Sequence, residues 1–314
     1  MVTRARLLTL LFPLMLSVNP RASAAPICAI DMGSNSFRRI VGSFENGRYE
    51  QRPIEKRTLG VGDDVARHGR ISDAKLAEVT EALRAFKASC DKDAATPVVA
   101  VGTAAFRDAP NGVRAVEIAK TLGIAMEIAS EKRESQLAYL VGSLGQDGYA
   151  VIDNGSRSIE LVAKDIGREP RYVVDTLGYR IAYDTFFAAD PDPAHGTRAF
   201  HARLQRAADT APFMKGKAKL VGVEFGEMAE LLFPPAPIEG RVFTLQELKA
   251  RLNEITTSGT QAFETLKKTK DIDRALPRLV AAAHLTEAFG YTQLELTERE
   301  LGSGLIIEAG MKKR

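Results

Sequence analysis

The pattern Asp-x-Gly-Ser-x-Ser occurs twice, at Asp31-Met32-Gly33-Ser34-Asn35-Ser36 and at Asp153-Asn154-Gly155-Ser156-Arg157-Ser158, 122 residues apart. In both places one apolar run leads in (Ile27 to Ile30; Tyr149 to Ile152) and another leads out (Phe37 to Val41; Ile159 to Ala163). Two short apolar runs joined by a Gly/Ser turn form a β-hairpin. Such a turn offers backbone N–H groups and hydroxyls to a phosphate, and the Asp closing the lead-in strand can hold a cation or a water. One copy alone would be an ordinary hairpin. Two in register point to a duplicated fold with a phosphate held between its halves.

The N-terminus reads as an export signal: Arg4 and Arg6, an apolar run from Leu7 to Val18, then Ala22-Ser23-Ala24 as a small-x-small cleavage site. The run is too short to span a bilayer comfortably and Pro13 interrupts it. Residues 1–24 are thus expected to leave an exported protein, periplasmic in a Gram-negative source, with no membrane attachment. They also carry Arg4, Arg6 and Arg21, so the remaining chain balances its 40 acidic residues with as many basic ones. Global charge gives no support for nucleic-acid binding; attraction for phosphate must be local. Two cysteines remain, Cys28 opening the first strand and Cys90 ending a helix. A disulfide and two separate buried thiols fit that placement equally.

Strands and helices alternate along the chain. Further strands are expected at Gln51 to Leu59, Pro97 to Val101, Ala125 to Ala129 and Gln293 to Thr297. Ser72 caps a helix whose Leu76, Val79, Leu83 and Phe86 share one face, and Asn111 is read as the cap of a helix to Leu122. Helical patterns follow at Glu131 to Leu144, at Leu245 to Ile255 behind Thr244, at Leu276 to Phe289 and at Glu300 to Met311. The fold class is α/β, with mixed sheets and a ligand cleft between halves. The organisation is residues 25–138 with the first loop and residues 139–314 with the second.

The segments AIDMGSNSF, VGTAAFRDAPN, SEKRESQLAYLVG and YAVIDNGSRSIELV resemble the exopolyphosphatase and guanosine pentaphosphate phosphatase family, over almost all of the chain after the signal. The resemblance implies a two-domain, actin-like (ribonuclease H-like) fold with the active site in the crevice, and hydrolysis of a terminal phosphoryl group from inorganic polyphosphate or a related phosphoanhydride with Mg²⁺. It places Gly33, Ser34, Asn35 and Ser36 on the phosphate, with Gly155, Ser156, Arg157 and Ser158 opposite. It makes Arg107 a phosphate contact, Glu134 the group activating water, Asp153 a residue of both catalysis and metal binding, and Glu160 a further metal ligand; Asp31, ending the first strand, is counted with the metal ligands. A homodimer is left open.

Phosphoryl transfer asks mainly for charge neutralisation and an in-line nucleophile, and this set of residues supplies both. The second loop departs from the family's Asp-x-Gly-Gly-Gly-Ser-Thr-Glu: Ser156 and Arg157 stand where glycines allow close backbone approach, and Arg157 either reaches the phosphate or plugs the cleft. Glu224 and Glu227 lie where small residues are usual. The alternatives are therefore a catalytically weak or inactive relative that binds a phosphorylated ligand or partner, and, less favoured, a kinase of the same superfamily. His68, His195, His201 and His284 show no ligand spacing, and Lys215, Lys217 and Lys219 read as a solvated run.

Overall fold

A computed structural model describes residues 25–312 apart from 191, 235–236, 259 and 269–270. The export-signal expectation for residues 1–24 lies outside the described residues. Among them, no helix is long and apolar enough to cross a membrane.

The first half contains β1 (Ile27–Met32), β2 (Ser36–Glu45), β3 (Arg48–Gln51), β4 (Glu55–Thr58), α1 (Val61–His68), α2 (Asp73–Lys92), β5 (Val98–Gly102), α3 (Ala104–Asp108), α4 (Val113–Thr121), β6 (Ala125–Ile128) and α5 (Glu131–Ser143). The second contains β7 (Tyr149–Asn154), β8 (Ile159–Ala163), β9 (Arg171–Asp175), α6 (Tyr179–Phe186), α7 (Pro193–Asp209), β10 (Lys219–Val223), α8 (Gly226–Leu232), β11 (Val242–Thr244), α9 (Leu245–Thr257), α10 (Thr260–Lys267), α11 (Ile272–Ala288), β12 (Gln293–Leu296) and α12 (Leu301–Met311).

The duplication is visible in the sheets. The first runs β3-β2-β1-β5-β6, with β4 also paired to β2; the second runs β11-β12-β10-β7-β8-β9. In each, a hairpin is followed by a strand parallel to its first member: β1 pairs antiparallel with β2 and parallel with β5, and β7 pairs antiparallel with β8 and parallel with β10. Every residue of β1 is buried, as are five of the six in β7, which fits strands covered on both faces. Asp31 and Asp153 therefore end central strands, where strand ends open onto a crevice.

Several local expectations meet their physical outcome here. Ser72 and Thr244 cap their helices, Thr244 within a reciprocal capping box with Glu247. Asn111 does not cap α4, whose N-cap is Gly112. Its side-chain amide instead accepts from the Ile71 N–H at 3.0 Å and donates to the Ile71 carbonyl at 2.8 Å, a tertiary tie that local pattern cannot reveal. The run from Gln51 to Leu59 is split, with only Glu55–Thr58 forming β4. Cys28 and Cys90 form a disulfide joining β1 to α2. Lys217 and Lys219 are paired with Asp165 and Glu295 rather than forming an anion track.

Two helices stitch the halves together. α5 packs on β7 and β8 of the second sheet, and Gly142 permits the approach, since a Cβ there would lie 2.6 Å from a Val151 methyl. α12, the last element in the chain, packs against α5, β1 and β2; Leu301, Leu305 and Ile306 share a cluster with Ile27, Ala29, Ile40 and Leu137. The apolar face of the C-terminal helix is thus satisfied by the first sheet. Ala-rich α11 is buried on most sides in the second half's core.

Candidate active site

Both hairpin turns border one cavity of about 50 Å³. Gly33, Ser34, Asn35 and Ser36 line it from the first half, and Gly155, Ser156, Arg157 and Ser158 from the second. Each turn is fixed by the segment that opens a later helix. The Asn35 carbonyl accepts from Leu59 and Gly60 N–H at 2.9 Å, and the Ser34 carbonyl from Gly62 N–H at 2.8 Å, all at the start of α1. The Gly155 carbonyl accepts from Tyr179 N–H at 2.9 Å and the Ser156 carbonyl from Arg180 N–H at 3.1 Å, at the start of α6. Carbonyls are thereby used up. The backbone N–H groups of Ser34, Asn35, Gly155, Ser156, Arg157 and Ser158 find no backbone carbonyl acceptor among the described residues. A row of such N–H groups on a concave wall is an anion site.

Asp31, Glu134, Asp153 and Glu160 line the same cavity. Asp31 and Asp153 end equivalent strands, and Glu160 sits opposite Asp153 in the hairpin register. Glu134 lies in the first turn of α5, whose Ser130 cap accepts from Arg133 N–H. Burial raises the pKa of Asp153 well above the carboxylate range, and Glu224, Glu160, Glu134 and Asp31 push it the same way. Burial likewise raises Glu160 and Asp31 strongly, and Glu134 less, because its hydrogen bond to Arg107 opposes the shift.

Arg107 stands behind Glu134 rather than on the cavity wall. Its Nη1 donates to Glu134 Oε2 at 2.8 Å and to the Ala129 carbonyl at 2.9 Å. All the other residues expected from sequence meet at the cavity. Among those that sequence reasoning did not place there are Arg38, Tyr179 and Glu224, with Glu300 paired to Arg38 behind the wall. Arg38 Nε lies 3.1 Å from Glu300 Oε1 and its Nη1 3.6 Å from Glu224 Oε1. Glu224 adopts a left-handed backbone (φ 63°) just after β10, an uncommon geometry for a non-glycine residue. An Arg two residues beyond the first turn was a readable signal; Glu300, from the far end of the chain, was not.

The donor set fits a hard divalent cation. Asp153 Oδ1 and Glu160 Oε1 are buried with no hydrogen-bond partner among the described residues, and such orphaned carboxylate oxygens are what Mg²⁺ accepts as ligands. Carboxylate oxygens of Asp31, Glu224 and Glu300 also lie within 4.8 Å of one another, with Arg38 as their present counter-charge.

A family model described as the Ppx/GppA phosphatase family matches residues 52–291, which leaves the first turn just outside the matched stretch. Comparison with curated proteins gave no match. The fold is similar to that of a Ppx/GppA family member from Aquifex aeolicus (TM-score 0.78, 22% identity, covering 92% of this chain and 99% of that one). It is also similar to that of an exopolyphosphatase from Cytophaga hutchinsonii (TM-score 0.75, 18% identity, covering 91% and 98%). These likenesses establish the two-sheet, actin-like fold.

Proposed function

The chain belongs to the Ppx/GppA phosphatase family, and from that we propose that it is a phosphohydrolase releasing the terminal phosphate of inorganic polyphosphate or a related phosphoanhydride. The observation that carries this reading is the pair of turns, with N–H groups lacking a backbone acceptor, on one cavity, facing Glu134, Asp153 and Glu160. Those N–H groups of both turns would bind the oxygens of the transferred phosphoryl group. Asp153 and Glu160 would hold Mg²⁺, with Asp31 beside them; bound there, the ion would neutralise charge on the phosphoryl oxygens. Glu134 would orient a water and take its proton, a role worth on the order of 10²–10⁴ in rate. Burial raises its pKa above the ordinary carboxylate value, the direction that strengthens a general base. Arg107 keeps that carboxylate in one orientation and restrains the shift.

With residues 1–24 read as an export signal, polyphosphate is a more accessible substrate than a cytosolic guanosine signal. A second reading, a binder with weak or no catalysis, draws on the crowding of the cavity by Arg38, Glu224 and Glu300. Phosphate release by the purified protein from polyphosphate, with and without Mg²⁺, separates the two. The enzyme reading expects Mg²⁺-dependent release that Glu134→Gln abolishes; equal release by both proteins would remove Glu134 from the mechanism, and none from either would leave the binder.

A further inference from the structure

The two ends of the catalytic cavity differ. At one end Arg38, from the first half, reaches Glu224 and Glu300 of the second. Arg38 and Glu224 also line a cavity of about 350 Å³ on the far side, so these side chains are the partition between the two spaces. On the opposite side Ser34, Asn35, Ser156, Arg157 and Tyr179 line both the catalytic cavity and a second one of about 200 Å³, and no ion pair joins any two of these five. The outer wall carries Arg157, Arg180 and Arg274 against Asp63 and Asp184. Arg180 is held by Asp184 at 3.0 Å, and Arg274 by Glu227 at 3.1 Å and Asp271 at 3.2 Å. Arg157 has a single ion pair among the described residues, to Asp108 at 3.8 Å, and its side chain is 35% exposed. It is the least committed cation at the junction of the two spaces.

Size sets the rest. Roughly 10–15 Å³ of such space holds one water, so the inner cavity of about 50 Å³ accommodates one tetrahedral oxyanion and not a chain of them. The remainder of a phosphoanhydride must lie outside, and of the two adjoining spaces the one behind Arg38 is fronted by its ion pairs to Glu224 and Glu300, whereas the other is fronted by Arg157 and the two turns. We propose that the outer cavity is the subsite for the leaving phosphates and that Arg157 binds the phosphate adjoining the one released. This makes Arg157 a specificity-determining residue selecting phosphoanhydrides over phosphomonoesters; the inference rests on the phosphohydrolase reading above. A guanidinium binds a phosphate by two parallel hydrogen bonds, and a phosphomonoester presents nothing at that position.

The test is equilibrium binding of tripolyphosphate and of orthophosphate in excess Mg²⁺, on the Glu134→Gln protein so that the probe is not consumed, with and without Arg157→Ala. Tripolyphosphate is expected to bind more tightly than orthophosphate. Arg157→Ala is expected to weaken it about ten- to a hundred-fold while moving orthophosphate by less than about three-fold. Equal weakening of both ligands, no weakening, or no binding of tripolyphosphate at all would overturn the inference. So would loss of tripolyphosphate affinity on Lys56→Ala, which lines the far cavity. Because the readout is binding, failure of the wild-type protein to release phosphate would remove the hydrolytic reading without altering this ratio.

Discussion

Arg107 donates from Nη1 to Glu134 Oε2 at 2.8 Å, so the carboxylate placed to activate water already has its counter-charge. Burial raises the pKa of Glu134 and Arg107 opposes that rise. Arg107→Met leaves burial unopposed. A base must be deprotonated to act, so the acidic limb of the kcat/KM profile is expected to move up by about 1–3 pH units. A pH–rate profile checks this; a uniform fall at every pH would assign Arg107 a merely structural part.

The buried carboxylates make a second, thermodynamic forecast. Asp31, Asp153 and Glu160 are raised well above the ordinary range, and burial, partly offset by Arg38, brings Glu300 to about 7. Raised acids bind protons more tightly folded than unfolded. Their contribution to stability is complete below the unfolded pKa of about 4 and is lost as pH rises through the folded values. The Tm of metal-free protein should fall between pH 5 and pH 8, with the Glu300 part of the loss running up to about pH 7 and levelling off above it. Mg²⁺ should raise Tm more at pH 8 than at pH 5. Thermal melts at both pH values decide it; a flat or rising metal-free Tm would contradict the burial of these groups.

Gly178 lies against the second turn. A Cβ there would collide with the backbone nitrogens of Arg157 and Ser158, and such overpacking costs roughly 1–3 kcal/mol. Gly178→Ala should shift the turn and lower kcat/KM about ten- to a hundred-fold, with orthophosphate affinity falling in parallel. Unchanged kinetics would mean that the turn does not contact the phosphate.

The Cys28–Cys90 disulfide closes a sequence separation of 62 residues between the central strand β1 and α2. Chain-entropy arithmetic puts its contribution at about 4 kcal/mol. Cys28→Ala with Cys90→Ala should lower the unfolding free energy by about that amount in urea denaturation. Two titratable thiols in the oxidised protein would contradict the pairing.

The hairpins, their shared cavity and the starts of α2, α5, α9 and α12 were legible because each rests on local chemistry: a turn composition, an N-cap, a period of apolar residues. Asp31 and Asp153 came together because duplication was readable in register. What was not legible depended on contacts between distant segments. Glu300 meets Arg38 from 262 positions away in sequence. Asn111 forgoes the cap of α4 to bind Ile71. Arg107 read as a phosphate contact from its strand–turn setting, but the acceptors that its Nη1 reaches, the Glu134 carboxylate and the Ala129 carbonyl, lie on segments far along the chain. The C-terminal helix lies on the first sheet although chain order places it beside the second.

The central claim is that both turns grip the same phosphate. A crystal structure of the protein with orthophosphate and Mg²⁺ tests it most directly. The expected result is one phosphate whose oxygens accept from backbone N–H groups of both residues 33–36 and residues 155–158, with the ion on Asp153 and Glu160. A phosphate bound by one turn alone, or held elsewhere on the protein, would contradict the account.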